Sequence, residues 1–350
     1  MVIYSKKMRL YISILIIVLF NSCVKDKPQD PKKTAVTVNS DYKVLIVNEG
    51  NFGWGSGTIS LYDPTSGALV DDYYGQQNNG GSLGNVCQSI TRHNSSYYIV
   101  VNNSNKIMVV NASDFVKTGT INGFNSPRYI LPITYNKAYV SDLYANSIQV
   151  VDLNTNTISG SITCMNGTEG MILIYNKAFI TNGNSEYCYV VNTATDVMMD
   201  SIHVGKGSSG ICVDKNSKVW VLSSGNSASS QAGKLSRINP VTVQIEQSLN
   251  FNLGESPGKL CVNKTRDTLY YLNNGICQLQ ITSNSLPSNP LIYQGSKIYY
   301  GLGVNPKDYS IYVSDAIDYV QKSKIEIYKP DGTFITKFNA GIISNSFMFE

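Results

Sequence analysis

The 350-residue sequence predicts an all-β fold: a seven-bladed propeller of four-stranded blades, its ring closed by the C-terminal strand pairing in the first blade. Three observations predict it. A strand–turn–strand unit recurs along the chain with a period of about 44 residues. Each unit carries Val, Ile and Tyr runs of ordinary strand length, bounded by Asn, Asp, Pro and Gly turns. No unit holds an apolar 3.6-residue periodicity long enough for a helix, which excludes a helical solenoid. Composition agrees. Hydrophobic residues make up 42% and charged residues 15%, too apolar and too weakly charged for a disordered chain or a coiled coil.

The units follow one another in order. The plainest copy is KAYVSDLYANSIQVVDLNTNTISGSI, Lys137 to Ile162. The next is KAFITNGNSEYCYVVNTATDVMMDSI, Lys177 to Ile202, and a third near the end runs from Ser310 to Phe338. Weaker copies begin at Lys43, Tyr97, Lys218 and Thr268. Aligned at the residue closing the third strand, the seven copies fall at Asp63, Asn111, Asp152, Asn192, Asn239, Thr282 and Lys329. The spacings are 48, 41, 40, 47, 43 and 47 residues. The turns that follow, among them DPTSG, DLNTNT and KPDG, have the chemistry of tight hairpin connections. The first copy lacks a first strand, and GIISNSFMF, Gly341 to Phe349, is an orphan strand after the last copy. Pairing the orphan inside the first blade closes the ring and leaves no open edge. The propeller then spans residues 36–350.

Ahead of it, Lys6, Lys7 and Arg9 precede an apolar run, Leu10 to Phe20, that is too short to cross a bilayer as a helix. Residues 1–22 read as a signal peptide. Cys23 follows Ser22 and resembles the acylated cysteine of a bacterial lipobox, although Phe20 and Asn21 depart from the favoured pattern; an ordinary secretory peptide is the alternative. That resemblance implies a lipid on Cys23 and, through one or two acyl chains, an anchor in the outer membrane. Residues 23–35, rich in Lys, Asp and Pro, read as a flexible tether. Without signal peptide and tether, 21 basic residues face 22 acidic ones. A neutral domain lacks the electrostatic footprint of a nucleic-acid binder.

The strings YVSD at Tyr139–Asp142 and Tyr312–Asp315, with FITN at Phe179–Asn182, resemble the YVTN-type, YncE-like seven-bladed propellers. VNEGNFGWGSGTISLYDPTSG, Val47 to Gly67, behind a lipoprotein tether, resembles the BtuG surface lipoproteins. This second resemblance implies capture of cobalamin or another corrinoid outside the cell and delivery to a TonB-dependent outer-membrane transporter. A propeller fold hosts many functions, so what it implies about function is analogy.

Catalytic signatures are sparse. The two His, His93 and His203, have no partner at metal spacing, and no HExxH, GxSxG or P-loop motif occurs. Glu49, Glu169 and Glu255 are candidates for the channel mouth, too few and too dispersed to specify a hydrolase. Cys87, Cys212 and Cys261 sit in apolar runs and read as small core residues. The reading is therefore a binding protein without enzymatic activity, cofactor or metal. In a propeller the second-to-third-strand loops share one face with the loops entering each first strand. Those loops hold aromatic residues among amides: Asn51, Phe52 and Trp54; Tyr144 and Asn146; Tyr299, beside Tyr300, and Tyr319. Arg128 and Glu169 add charge. Aromatic planes with amides between them suit a large, neutral, amphipathic ligand. A glycan or other transporter substrate, a structural or adhesive surface role, and lastly a lactonase-type hydrolase are the alternatives.

Overall fold

A computed structural model describes residues 42–350. The signal peptide, the lipid site at Cys23, the tether and residues 36–41 lie outside the described residues. Seven antiparallel four-stranded sheets follow one another around a ring. Blade 3 shows the pattern, with strands Pro127–Pro132, Lys137–Asp142, Ser147–Asp152 and Thr157–Thr163 running from the inside outwards. Blade 1 is built from both ends of the chain. Its inner strand is Ser344–Phe349, which pairs with Val44–Asn48 so that Val44 faces Phe349. The closure expected from the orphan C-terminal segment is the one observed.

The apolar core is divided among the junctions between blades. Second strands are buried on both sides, because alternate side chains enter the two neighbouring junctions. Val44 and Ile46 pack with Tyr312 and Ile325 of blade 7. Leu45 and Val47 pack with Tyr97 and Ile99 of blade 2. This is why second strands read as continuous apolar runs and not as alternating ones. Outer strands such as Val197–His203 are mostly exposed and correspondingly polar. Two blades depart from the regular unit: the outer strands of blades 1 and 6 are only Leu69–Val70 and Ile292–Tyr293. After the first of these, a short helix, Tyr73–Gln77, is capped by the Asp72 carboxylate accepting from the Gly75 N–H. Cys87, Cys188, Cys212 and Cys277 are buried thiols, and Cys164 and Cys261 are half-buried; all six are free.

The YVSD and FITN strings have a structural task. Asp142 and Asn182 end second strands and are fully buried. Asp142 accepts from the N–H groups of Asn125, Ser126, Tyr144 and Ala145, tying the loop that enters its blade to the loop that leaves its strand. Asn182 accepts from Asn184 and Ser185 and donates to the carbonyls of Met165 and Asn166. These side chains hold the loop face in place from below.

Candidate functional site

Every inner strand has the same irregularity near its start. The pairing register with the second strand slips, leaving a residue unpaired. A bulge of this kind re-aims a side chain. The skipped residues include Gln88, Arg128, Glu169, Ser209, Lys259, Tyr300 and Asn345, one from each blade. All seven line one cavity of about 530 Å³ at the mouth of the central channel, together with Glu49 from the end of the second strand of blade 1. The mouth opens on the face that carries the second-to-third-strand loops, opposite the end at which the chain enters blade 1.

The ring is joined by a run of hydrogen bonds. Lys259 Nζ donates to Asn345 Oδ1 at 2.9 Å, and Asn345 Nδ2 donates to the Gln88 carbonyl at 2.8 Å. The Gln88 side-chain oxygen accepts from Arg128, whose Nε donates to Glu169 Oε2 at 2.9 Å. Burial works against the Arg128 charge, but the adjoining Glu169 carboxylate outweighs it and holds the guanidinium pKa above its ordinary value. The Tyr129 phenol beside them is pushed up to about 12, first by burial and then by Glu169. Glu49 is held by the Tyr300 hydroxyl, which donates at 3.1 Å. Burial raises the Glu49 pKa, while Lys259 and Tyr300 pull it back in part. Burial likewise lowers the Lys259 pKa, against the attraction of Glu49. Two acids and two bases therefore balance within a half-enclosed polar ring.

The aromatic loops rise around this mouth. Trp54 is 94% exposed and Phe52 70% exposed, on a loop that is nonetheless firmly built. Asn85 accepts from the Gly53 N–H and donates to the Asn51 and Gly55 carbonyls. Gly50 has φ of +76°, and a Cβ there would lie 2.6 Å from the Ser56 carbonyl oxygen, so the loop cannot close around a larger residue. Asn51 Nδ2 donates to the Tyr319 carbonyl at 2.8 Å, joining the loops of blades 1 and 7. The Tyr319 ring meets Tyr300 edge-on at 5.8 Å. Tyr144 and Asn146 are exposed on the blade 3 loop of the same face.

Of the residues singled out from sequence, the structure brings Asn51 and Tyr319 together beside the mouth, and Arg128 with Glu169 inside it. Phe52 and Trp54 stand on the adjoining loop. Tyr299 is a correction: its side chain is buried within blade 7, where the hydroxyl donates to Glu326 at 3.0 Å, and Tyr300 faces the channel instead. Glu255 is engaged by the Asn252 N–H of its own loop and by the Asn273 amide of the neighbouring loop. His203 bonds Glu186 on the outer part of blade 4, and His93 bonds the Tyr135 carbonyl. Gln88, Ser209, Lys259 and Asn345 were not singled out. The signal that finds them is the polar residue one place after each inner strand begins, as in VCQSI, SPGKL and ISNSF. Among the described residues, no three His, Cys, Asp or Glu side chains cluster to hold a metal ion.

The family described as Domain of unknown function (DUF5074) matches residues 42–341, the whole ring but for its closing strand. The chain belongs to the DUF5074 family. No curated protein matches this DUF5074 chain in sequence. Its fold is similar to that of a quinonprotein alcohol dehydrogenase-like protein from Bacteroides thetaiotaomicron, with a TM-score of 0.69 and 14% identity over 88% of this chain and 77% of that one. It is also similar to the periplasmic gluconolactonase PpgL of Pseudomonas aeruginosa, with a TM-score of 0.65 and 10% identity over 88% and 98% of the two chains. A protein from Lactobacillus plantarum gives 0.63 and 11% over 88% and 99%. At these identities the likeness is one of fold.

Proposed function

We propose that this DUF5074 propeller is a non-enzymatic capture protein that binds a corrinoid on its loop face and hands it to a TonB-dependent transporter. The observation that carries the reading is the pairing of exposed aromatic side chains on firmly held loops with a charge-balanced polar cavity at the channel mouth. A flat, apolar ring fringed by amides can lie against Trp54, Phe52 and Tyr144 while its polar substituents reach the ring of Gln88, Arg128, Lys259 and Asn345. Preorganised loops lose little entropy on binding, which favours a broad rigid ligand. The test is calorimetry with cyanocobalamin on the full chain in detergent. Saturable heat at micromolar ligand supports the reading; none redirects it to a glycan or another transporter substrate. The same proposal places the protein at the outer membrane through a lipid on Cys23. Cys23→Ala then moves the protein out of the membrane fraction, and unchanged fractionation refutes the anchor.

A further inference from the structure

The charges at the channel mouth are not equivalent. Arg128 is engaged on both sides, by Glu169 and by Gln88. Lys259 has no carboxylate oxygen of the described residues within 4.0 Å. Its ammonium rests on a neutral amide oxygen, that of Asn345, and lies over the Tyr300 ring at 5.0 Å from the centroid. It also donates to the Asn345 carbonyl at 3.4 Å, and of its three N–H donors one stays free for a ligand. The backbone makes the same point independently. Lys259 has φ of +54°, the left-handed region that a lysine seldom occupies, and it is the skipped residue of a bulge that turns its side chain into the cavity. Strain of this kind persists where the surrounding structure over-determines it, and it concentrates at ligand sites.

We propose that Lys259 is an anion anchor: it takes a phosphate or carboxylate group of the ligand at the channel mouth, while the aromatic loops take the ligand's apolar body. The bulge and its unfavourable φ hold the ammonium over the cavity before the ligand arrives. Neighbouring hydrogen-bonding groups come from Asn345, Ser209 and Ser346, which line the same cavity. Glu49, held by the Tyr300 hydroxyl in the same cavity, repels a second anionic group and accepts from a donor, so the favoured ligand carries its anion beside amide, hydroxyl or ammonium donors. Burial lowers the Lys259 pKa, and an arriving anion offsets that cost by restoring a partner for the charge. The anion as part of a corrinoid rests on the capture reading above; the anion site itself does not.

Cyanocobalamin carries a phosphodiester and dicyanocobinamide lacks it, so the two ligands separate the anion from the corrin body. The full-length wild type and Lys259→Met are compared by calorimetry with both, at low and high salt. The expected result is a loss of about tenfold or more in cyanocobalamin affinity in Lys259→Met. The salt dependence is also lost, Lys259→Arg restores both, and dicyanocobinamide binding is unchanged. Cyanocobalamin affinity within about twofold of wild type, at the same salt dependence, overturns the anchor and leaves corrinoid capture standing. Inorganic phosphate tests the site without any corrinoid, through the side-chain nitrogen resonance of Lys259 in lysine-labelled protein, assigned by its absence in Lys259→Met. A saturable phosphate shift in a protein that ignores cyanocobalamin keeps the anchor and refutes the capture reading. No shift, with no cyanocobalamin binding, refutes both.

Discussion

Asp142→Ala removes one buried carboxylate and strands the groups it serves. Its two oxygens accept from the Asn125 N–H at 2.9 Å and from those of Ser126, Tyr144 and Ala145 at 3.0 Å. The Ser126 and Ala145 donors are buried, whereas Asn125 and Tyr144 are exposed. A buried donor left without a partner costs about 1–3 kcal/mol, and an exposed one, which water can reach, roughly 0.5 kcal/mol. The expected loss is about 5 kcal/mol. Urea unfolding followed by tryptophan fluorescence measures it, because Trp220 is fully buried and Trp54 is already in water. The polarity of the loop makes a second test. Asp142 faces four N–H donors, so the amide of Asp142→Asn presents an NH₂ to donors. Asn182 donates to two carbonyls, so Asn182→Asp turns a carboxylate onto them. Each swap costs about 2 kcal/mol by the same argument. A loss below about 1 kcal/mol for Asp142→Ala refutes the idea that these residues hold the loop face.

Trp54→Ala leaves the urea midpoint unchanged, since the side chain is 94% exposed, and lowers ligand affinity about thirtyfold in calorimetry; an unchanged affinity removes Trp54 from the site. Deleting residues 344–350 removes the inner strand of blade 1 and opens the edge of Val44–Asn48. The shortened chain loses its cooperative thermal transition by circular dichroism and associates on size exclusion, whereas a monomer with a sharp transition contradicts the closure argument. Glu49 has a raised folded pKa, set by burial against Lys259, Tyr300, Arg128 and Asn345. The native state therefore binds that proton more tightly than the unfolded chain does. The associated stability is complete below the ordinary glutamate value and lost as pH rises through the folded value. Glu49→Gln removes this loss, so the variant gains on wild type as pH rises from about 4 to 7 in urea midpoints; a constant difference excludes it.

Blade number and closure were legible because both depend on strand periodicity, which survives in a single sequence. GIISNSFMF had no partner in its own unit, and the first unit lacked an inner strand, so each explained the other. The loop aromatics were legible for a local reason: the glycines flanking Trp54 keep it from packing. The polar ring was harder. A bulge shifts the alternation of a strand by one place, and nothing in KIYYG says that Tyr300, not Tyr299, turns inwards. Lys259 is hidden in the same way, behind Pro257 and Gly258 in what reads as a loop. Arg128 and Glu169 were found because charge is conspicuous beside apolar runs, whereas Gln88 and Asn345 are neutral. The two-residue outer strands of blades 1 and 6 escaped notice because outer strands face water and carry little apolar signal.

The channel mouth takes a side chain from every blade, and Asn345 and Ser346 come from the strand that closes the ring. No partial chain holds a finished mouth. A polypeptide whose closing strand has not yet been added, however much of its ring has formed, lacks Asn345, which completes the circuit from Lys259 to Gln88. Completing the mouth and closing the ring are thus one event. A ligand that fits selects finished molecules from unfinished ones and stabilises all seven blades together, by mass action on the closed ring.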